Sequence, residues 1–161
     1  MSFHVRRKDI EITDVEVLKK ILKSATYVTI AFSSENQPYL VSLSDGYDET
    51  RNCLYFHCAT EGKKLHYMKM NDAVWGQAML DFGYVHGKCK HLYASVHFSG
   101  RISLIDGLDE KRQAAECMIR QLEKDPTKLI ADLTHDRLKN TVFGRIDIGY
   151  MSGKKSKEVS I

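Results

Sequence analysis

Between an apolar run, Cys53–Cys58, and a stretch with helical spacing lies the segment Ala59, Thr60, Glu61, Gly62, Lys63, Lys64, and this order has the makings of an anion site. The first turn of a helix leaves backbone N–H groups without partners, a glycine lets a ligand approach the main chain, and two lysines add positive charge. A phosphate suits such a cradle. It is not a P-loop, because the long glycine loop and the Lys-Ser or Lys-Thr ending are missing. Taken alone, the turn is better read as the solvated start of a basic helix. His57 would stand beside whatever the lysines hold, where an imidazole can donate a hydrogen bond or a proton near neutral pH. On its own it is more simply a half-buried strand histidine satisfied by backbone.

Other reactive residues carry less. His86, Cys89, His91 and His97 are good zinc ligand types, but their spacing fixes no tetrahedron and no metal site is assigned. Cys53 and Cys58 would point to opposite faces of one strand and cannot share a metal. No cysteine sits in a nucleophile motif. Trp75, Tyr55, Phe56 and Phe98 can stack on a planar cofactor, although strand aromatics are more simply core.

The elements that must position these groups follow from periodicity. Asp14 is an N-cap candidate, and Val15, Leu18, Ile21 and Leu22 form one helical stripe that ends at Ser24. Residues 26–32 and 39–43 read as a β-hairpin. A turn over 48–52 leads to the strand Cys53–Cys58, which makes an antiparallel meander of three. Thr60 caps a helix to Met70 with Leu65 and Met68 inward. Residues 73–80 are a fourth strand, and 81–91, with two glycines, two histidines and no period, an exposed loop near a functional opening. Residues 92–104 form a long strand bent at Gly100, and 108–124 a helix with Ala115, Met118, Ile119 and Leu122 on one side. Residues 127–140 are poorly patterned, 142–148 close the sheet, and 153–161 read as a frayed tail. The fold class is mainly β, a six-stranded antiparallel barrel with flanking helices behind an N-terminal arm, 1–13.

The chain has 161 residues, enough for one domain, 1–161, with a core of its own. Its 24 basic and 21 acidic residues give a net charge of +3 spread along the sequence, which argues against a nucleic-acid partner. Four cysteines and a polar opening without a signal pattern point to free thiols in a reducing cytoplasm. Apolar stretches are short of the roughly 20 residues that span a bilayer, so no membrane partner is expected.

Several motifs in order resemble one family. The opening Arg6, Arg7, Lys8, Asp9, Ile10, Glu11, Ile12, Thr13, Asp14 is followed by Gln37, Pro38, Tyr39, Leu40, Val41 and by Gly46, Tyr47, Asp48. Then come Leu54, Tyr55, Phe56, His57, Cys58, Ala59 and Glu61, Gly62, Lys63, Lys64, Leu65. Cys89, Tyr93, Ser95, Val96, Gly100 and Arg101 precede a last block, Arg145, Ile146, Asp147, Ile148 with Met151, Ser152, Gly153, Lys154. Together they resemble the nitroimidazole-resistance proteins, a branch of the pyridoxamine 5'-phosphate oxidase-like, FMN-binding split barrels.

The resemblance implies a split β-barrel homodimer with one FMN per subunit at the interface, FAD being possible in its place. Gly62, Lys63 and Lys64 would hold the phosphate. Tyr39, Leu40, Val41, Ser42, Leu43, Ser95 and Val96 would line the ring pocket, with His57 as both flavin neighbour and catalytic group. The implied activity is a flavin-dependent oxidoreductase reducing small planar acceptors such as nitroaromatics. The alternatives are a non-catalytic flavin or haem carrier, with His86, His91 or His97 as haem ligand, and a pyridoxamine 5'-phosphate oxidase proper, which needs a second basic cluster. Two departures stand out: Ser42, Leu43, Ser44, Asp45 replaces the family's Pro-Leu-Asn-Phe, and Trp75 replaces a smaller residue.

Overall fold

Asp14 accepts a hydrogen bond from the Glu16 backbone at 2.9 Å and opens helix α1 (Val15–Ser24) in the computed structural model, which describes residues 5–161. Residues 1–4, the beginning of the expected arm, lie outside the described residues. Leu18, Ile21 and Leu22 are buried on one stripe, as their spacing predicts. The hairpin is present as β2 (Val28–Ser34) and β3 (Gln37–Leu43). Its two-residue turn, Glu35 and Asn36, has φ of 49° and 61°, the mirror-type turn whose twist matches that of the flanking strands.

The three-strand meander is not formed. β4 (Gly46–Asp48) pairs with β5 (Cys53–Cys58), and β5 pairs on its other side with β8 (Val142–Lys155), while β3 is bonded only to β2. The reason lies in β5 itself, which is apolar on both faces. Leu54 and Phe56 enter the main core, whereas Cys53 and Tyr55 enter a second cluster beneath α3 (Leu108–Leu122). A strand buried on both faces needs an interior position in the sheet with cover on each side.

Helix α2 (Lys63–Met70) starts later than expected, because its N-cap is Gly62 and no side chain caps it; Thr60 does not take that role. Leu65 and Met68 are buried as expected. The expected loop 81–91 is instead the end of a hairpin between β6 (Ala73–Val85) and β7 (Lys90–Ile105), with Tyr84 opposite His91 and Val85 opposite Lys90. A register shift between Asp81 and Tyr84 breaks the two-residue alternation that would have revealed the strands. The bend expected at Gly100 coincides with a shift in the β7–β8 register, where a Cβ on Gly100 would sit 2.2 Å from the Asp147 carbonyl oxygen.

The unpatterned stretch 127–140 holds two helices, α4 (Thr127–Ala131) and α5 (His135–Lys139), each too short to display a period. The tail is not frayed. β8 runs to Lys155, β1 (Glu11–Ile12) pairs with it, Ser156 donates its backbone N–H to Tyr93 at 2.9 Å, and Val159 is buried. Among the described residues eight antiparallel strands follow the order β3-β2-β6-β7-β8-β5-β4 with β1 on β8, so the expected count of six is too low. The two missed strands, β1 and β4, are only two and three residues long. The sheet is not closed into a barrel, since β3 and β4 remain edges. α1 and α2 pack on its inner face, α3 covers the outer face of β5, and the outer face of β6 is left uncovered with Trp75 and Met79 exposed. Among the described residues, no helix is long and apolar enough to cross a membrane.

Candidate functional site

Gly62 has φ of 131°, which favours glycine, and no heavy atom lies within 4 Å of where its Cβ would be. The backbone at the head of α2 is therefore open to a ligand. Lys63 Nζ sits 4.7 Å from the Tyr39 ring centroid and 5.7 Å from that of Tyr67, a cation held over aromatic faces. Tyr39 stacks on Phe32 at 5.9 Å and meets Tyr67 at 5.1 Å, so β3 and α2 are tied together at this corner. Among the described residues neither Lys63 nor Lys64 has a carboxylate partner. Lys64 also bears on Cys58, whose thiol burial pushes up while the lysine pulls it down.

His57 is exposed near the end of β5, opposite Phe143 of β8, with the two rings edge-on at 6.3 Å. It has no hydrogen-bond partner among the described residues, so the backbone does not satisfy it. The same ring borders an open cleft of about 430 Å³ between β5, α3 and α5, walled by Met118, Ile119, Leu138 and Phe143 with Arg137 and Glu123 also lining it. From His57 the chain runs directly through Cys58 to the basic turn.

The remaining expected cofactor contacts divide between two faces. Tyr39, Val41 and Leu43 turn toward the core, whereas Leu40 and Ser42 are exposed on the outer face, where Ser42 Oγ lies 3.2 Å from Thr29 Oγ1. Val96 is fully buried in the core. Ser95 borders a separate depression of about 400 Å³ with Gln77, His97 and Lys154. Ser95 and Val96 do not join His57 in its cleft.

The haem-ligand candidates are already engaged. His97 Nε2 is 2.9 Å from Gln77 Nε2, and burial with Lys154 nearby lowers its pKa, favouring the neutral ring. His91 bonds Asp81 at 2.9 Å, and His86 meets Tyr84 edge-on at 5.4 Å. Of the departures, Ser44 is exposed and Asp45 fully buried, its pKa pushed up to about 7 by burial, with Gln121 its partner at 3.4 Å. Trp75 is exposed on the outer face, edge-on to Tyr150 at 6.1 Å.

Sequence reasoning missed Arg137, Leu138 and Phe143 as cleft residues. The one available signal was the width of the apolar stripe on α3, which continues to Ile119 and Leu122 beyond what the core buries.

The model of the pyridoxamine 5'-phosphate oxidase family matches residues 14–155. No curated protein gives a significant match. Among solved structures, the fold is similar to a candidate 5-nitroimidazole antibiotic resistance protein from Bacteroides thetaiotaomicron, at 22% identity, 95% of each chain and a TM-score of 0.78. It is also similar to the flavocytochrome Anf3 from Azotobacter vinelandii, at 15% identity, 98% of this chain, 75% of that one and a TM-score of 0.77. A FAD and haem binding protein from Mycobacterium smegmatis matches at 18% identity, 94% of this chain, 75% of that one and a TM-score of 0.77.

Proposed function

The chain belongs to the pyridoxamine 5'-phosphate oxidase family, and from that premise we propose that it is a homodimeric FMN-dependent oxidoreductase acting on small planar acceptors, nitroaromatics among them. The observation that carries the reading is the head of α2: open space over Gly62 beside two lysines without a carboxylate partner among the described residues. A phosphate monoester fits that arrangement, because the first-turn N–H groups and the lysine charge both need an anion. One phosphate matches a single basic turn, which favours FMN over FAD.

Lys63, Lys64 and the Gly62 backbone bind the phosphate, and Tyr39 holds Lys63 in place by its ring. The strand from Tyr39 to Leu43 flanks the ring. His57, exposed and without a hydrogen bond among the described residues, is free to donate a proton or a hydrogen bond beside the reacting face. When bound, the flavin supplies the electron carriage between a reduced donor, such as a nicotinamide, and the acceptor. Ser95, buried on the outer face of β7, borders the depression of about 400 Å³ there, the face over which the second subunit of the proposed dimer is placed.

The visible spectrum of the purified protein, with mass identification of what heat releases, tests the reading. A two-band flavin spectrum and the mass of FMN are expected, and a Soret band in their place overturns it. The Lys63→Glu, Lys64→Glu double variant is expected to lose the cofactor with little change in melting temperature, because Lys63 is exposed, Lys64 half-buried, and neither forms an ion pair among the described residues. Equal occupancy in both proteins removes the phosphate assignment. His57→Ala should cut anaerobic turnover of a nitroimidazole by about a hundredfold with flavin occupancy retained.

A further inference from the structure

The cleft beside His57 has an apolar wall and a cation at its edge. Its volume, about 430 Å³, falls in the range of roughly 300–1,000 Å³ typical of small-molecule sites. Met118, Ile119, Leu138 and Phe143 make that wall. Three of them, Met118, Leu138 and Phe143, also belong to the cluster beneath α3, so the wall is fixed by packing.

Arg137 lines the same cleft from α5. Its backbone is pinned at both ends, since its N–H donates to Thr134 Oγ1 at 3.4 Å and its carbonyl accepts from Thr141 Oγ1 at 2.8 Å. Its guanidinium donates to the Asp132 carbonyl at 3.3 Å and forms no ion pair among the described residues. A guanidinium has five N–H donors in a planar fork, so donors remain for a ligand, and a carboxylate takes two of them together. Glu123 also lines the cleft but makes no ion pair with Arg137, so its carboxylate does not occupy the guanidinium's free donors.

We propose that this cleft binds apolar carboxylic acids, with the carboxylate on Arg137 and the hydrocarbon or aromatic body against Met118, Ile119, Leu138 and Phe143, reaching toward His57. A role for such an acid as the acceptor rests on the flavin reading; its binding does not. The assignment goes beyond a planar acceptor by requiring a negative charge at one end and an apolar body behind it. A neutral analogue of the same length keeps the apolar contacts and loses the charge-assisted pair.

Titration calorimetry with octanoate and with octanamide, on protein whose flavin content has been measured by absorbance, tests this directly. Octanoate is expected to bind at least about tenfold more tightly than octanamide, the worth of one charge-assisted pair. Arg137→Gln should remove that preference without changing flavin content or the melting curve. Leu122→Glu, a change at an exposed position on the same wall, should weaken both ligands. Equal binding of acid and amide by the unaltered protein, or a preference that survives Arg137→Gln, overturns the proposal. Because binding is read apart from flavin content, absence of flavin would sink the functional reading while leaving this one standing.

Discussion

Asp45 carries its proton further up the pH scale than any ordinary carboxyl, because burial raises its pKa from 3.8 to about 7 and only the Gln121 amide offsets this. Its Oδ1 has no partner among the described residues. Between those two values the folded chain holds a proton that the unfolded chain has released, so the contribution of Asp45 to stability falls as pH rises from about 4 to about 7 and is level on either side. Asp45→Asn keeps the shape and removes the charge. It should raise the melting temperature at pH 8 and leave it nearly unchanged at pH 4, as followed by circular dichroism; parallel profiles for both proteins would show that Asp45 ionises freely. At this scale the sequence offers candidates where residue types are distinctive, as at Gly62, Lys63, Lys64 and His57. Arg137 is not among them, because an arginine among Asp136, Lys139 and their neighbours reads as a solvated face until α5 sets it beside α3.

Elements with one wet and one dry face announced themselves. The α1 stripe, the hairpin of β2 and β3 and the helix α3 all stand close to where their periods put them. Residues 81–91 were illegible because a bulged hairpin exposed on both faces has no alternation to read. The C-terminal residues failed for another reason: a polar composition hid a single anchor, Val159, buried in the main core and bonded through its carbonyl to Lys155 Nζ at 2.7 Å. Val159→Ala should therefore destabilise the protein by on the order of 1–2 kcal/mol in urea denaturation, the cost of emptying a buried apolar site. A frayed end would show no change. Gly62→Ala tests the head of α2 in the same assay, where φ of 131° should cost a side chain about 1 kcal/mol or more.

On the scale of the whole molecule, the uncovered outer face carries exposed Trp75 and Met79 on β6 and exposed Leu40 on β3, the two strands that flank β2. Apolar side chains gathered in this way mark a surface awaiting a partner. On the proposed dimer with each cofactor touching both subunits, Trp75→Arg is expected to leave monomers in sedimentation velocity and to lower flavin occupancy with it. The strand order itself was out of reach of any local pattern, since Glu11 pairs with Lys154 and Cys53 with Asp147. Those same pairings constrain how the chain is made. A strand that must wait for β8 stays half-paired while the residues between them are made, so β5, apolar on both faces, has only the three residues of β4 beside it until β8 emerges. Loop closure over such distances is slow, and an unpaired apolar strand recruits other chains in the meantime. The yield of folded protein should thus be governed by chain concentration and by how soon the last strand arrives, more than by the stability finally reached.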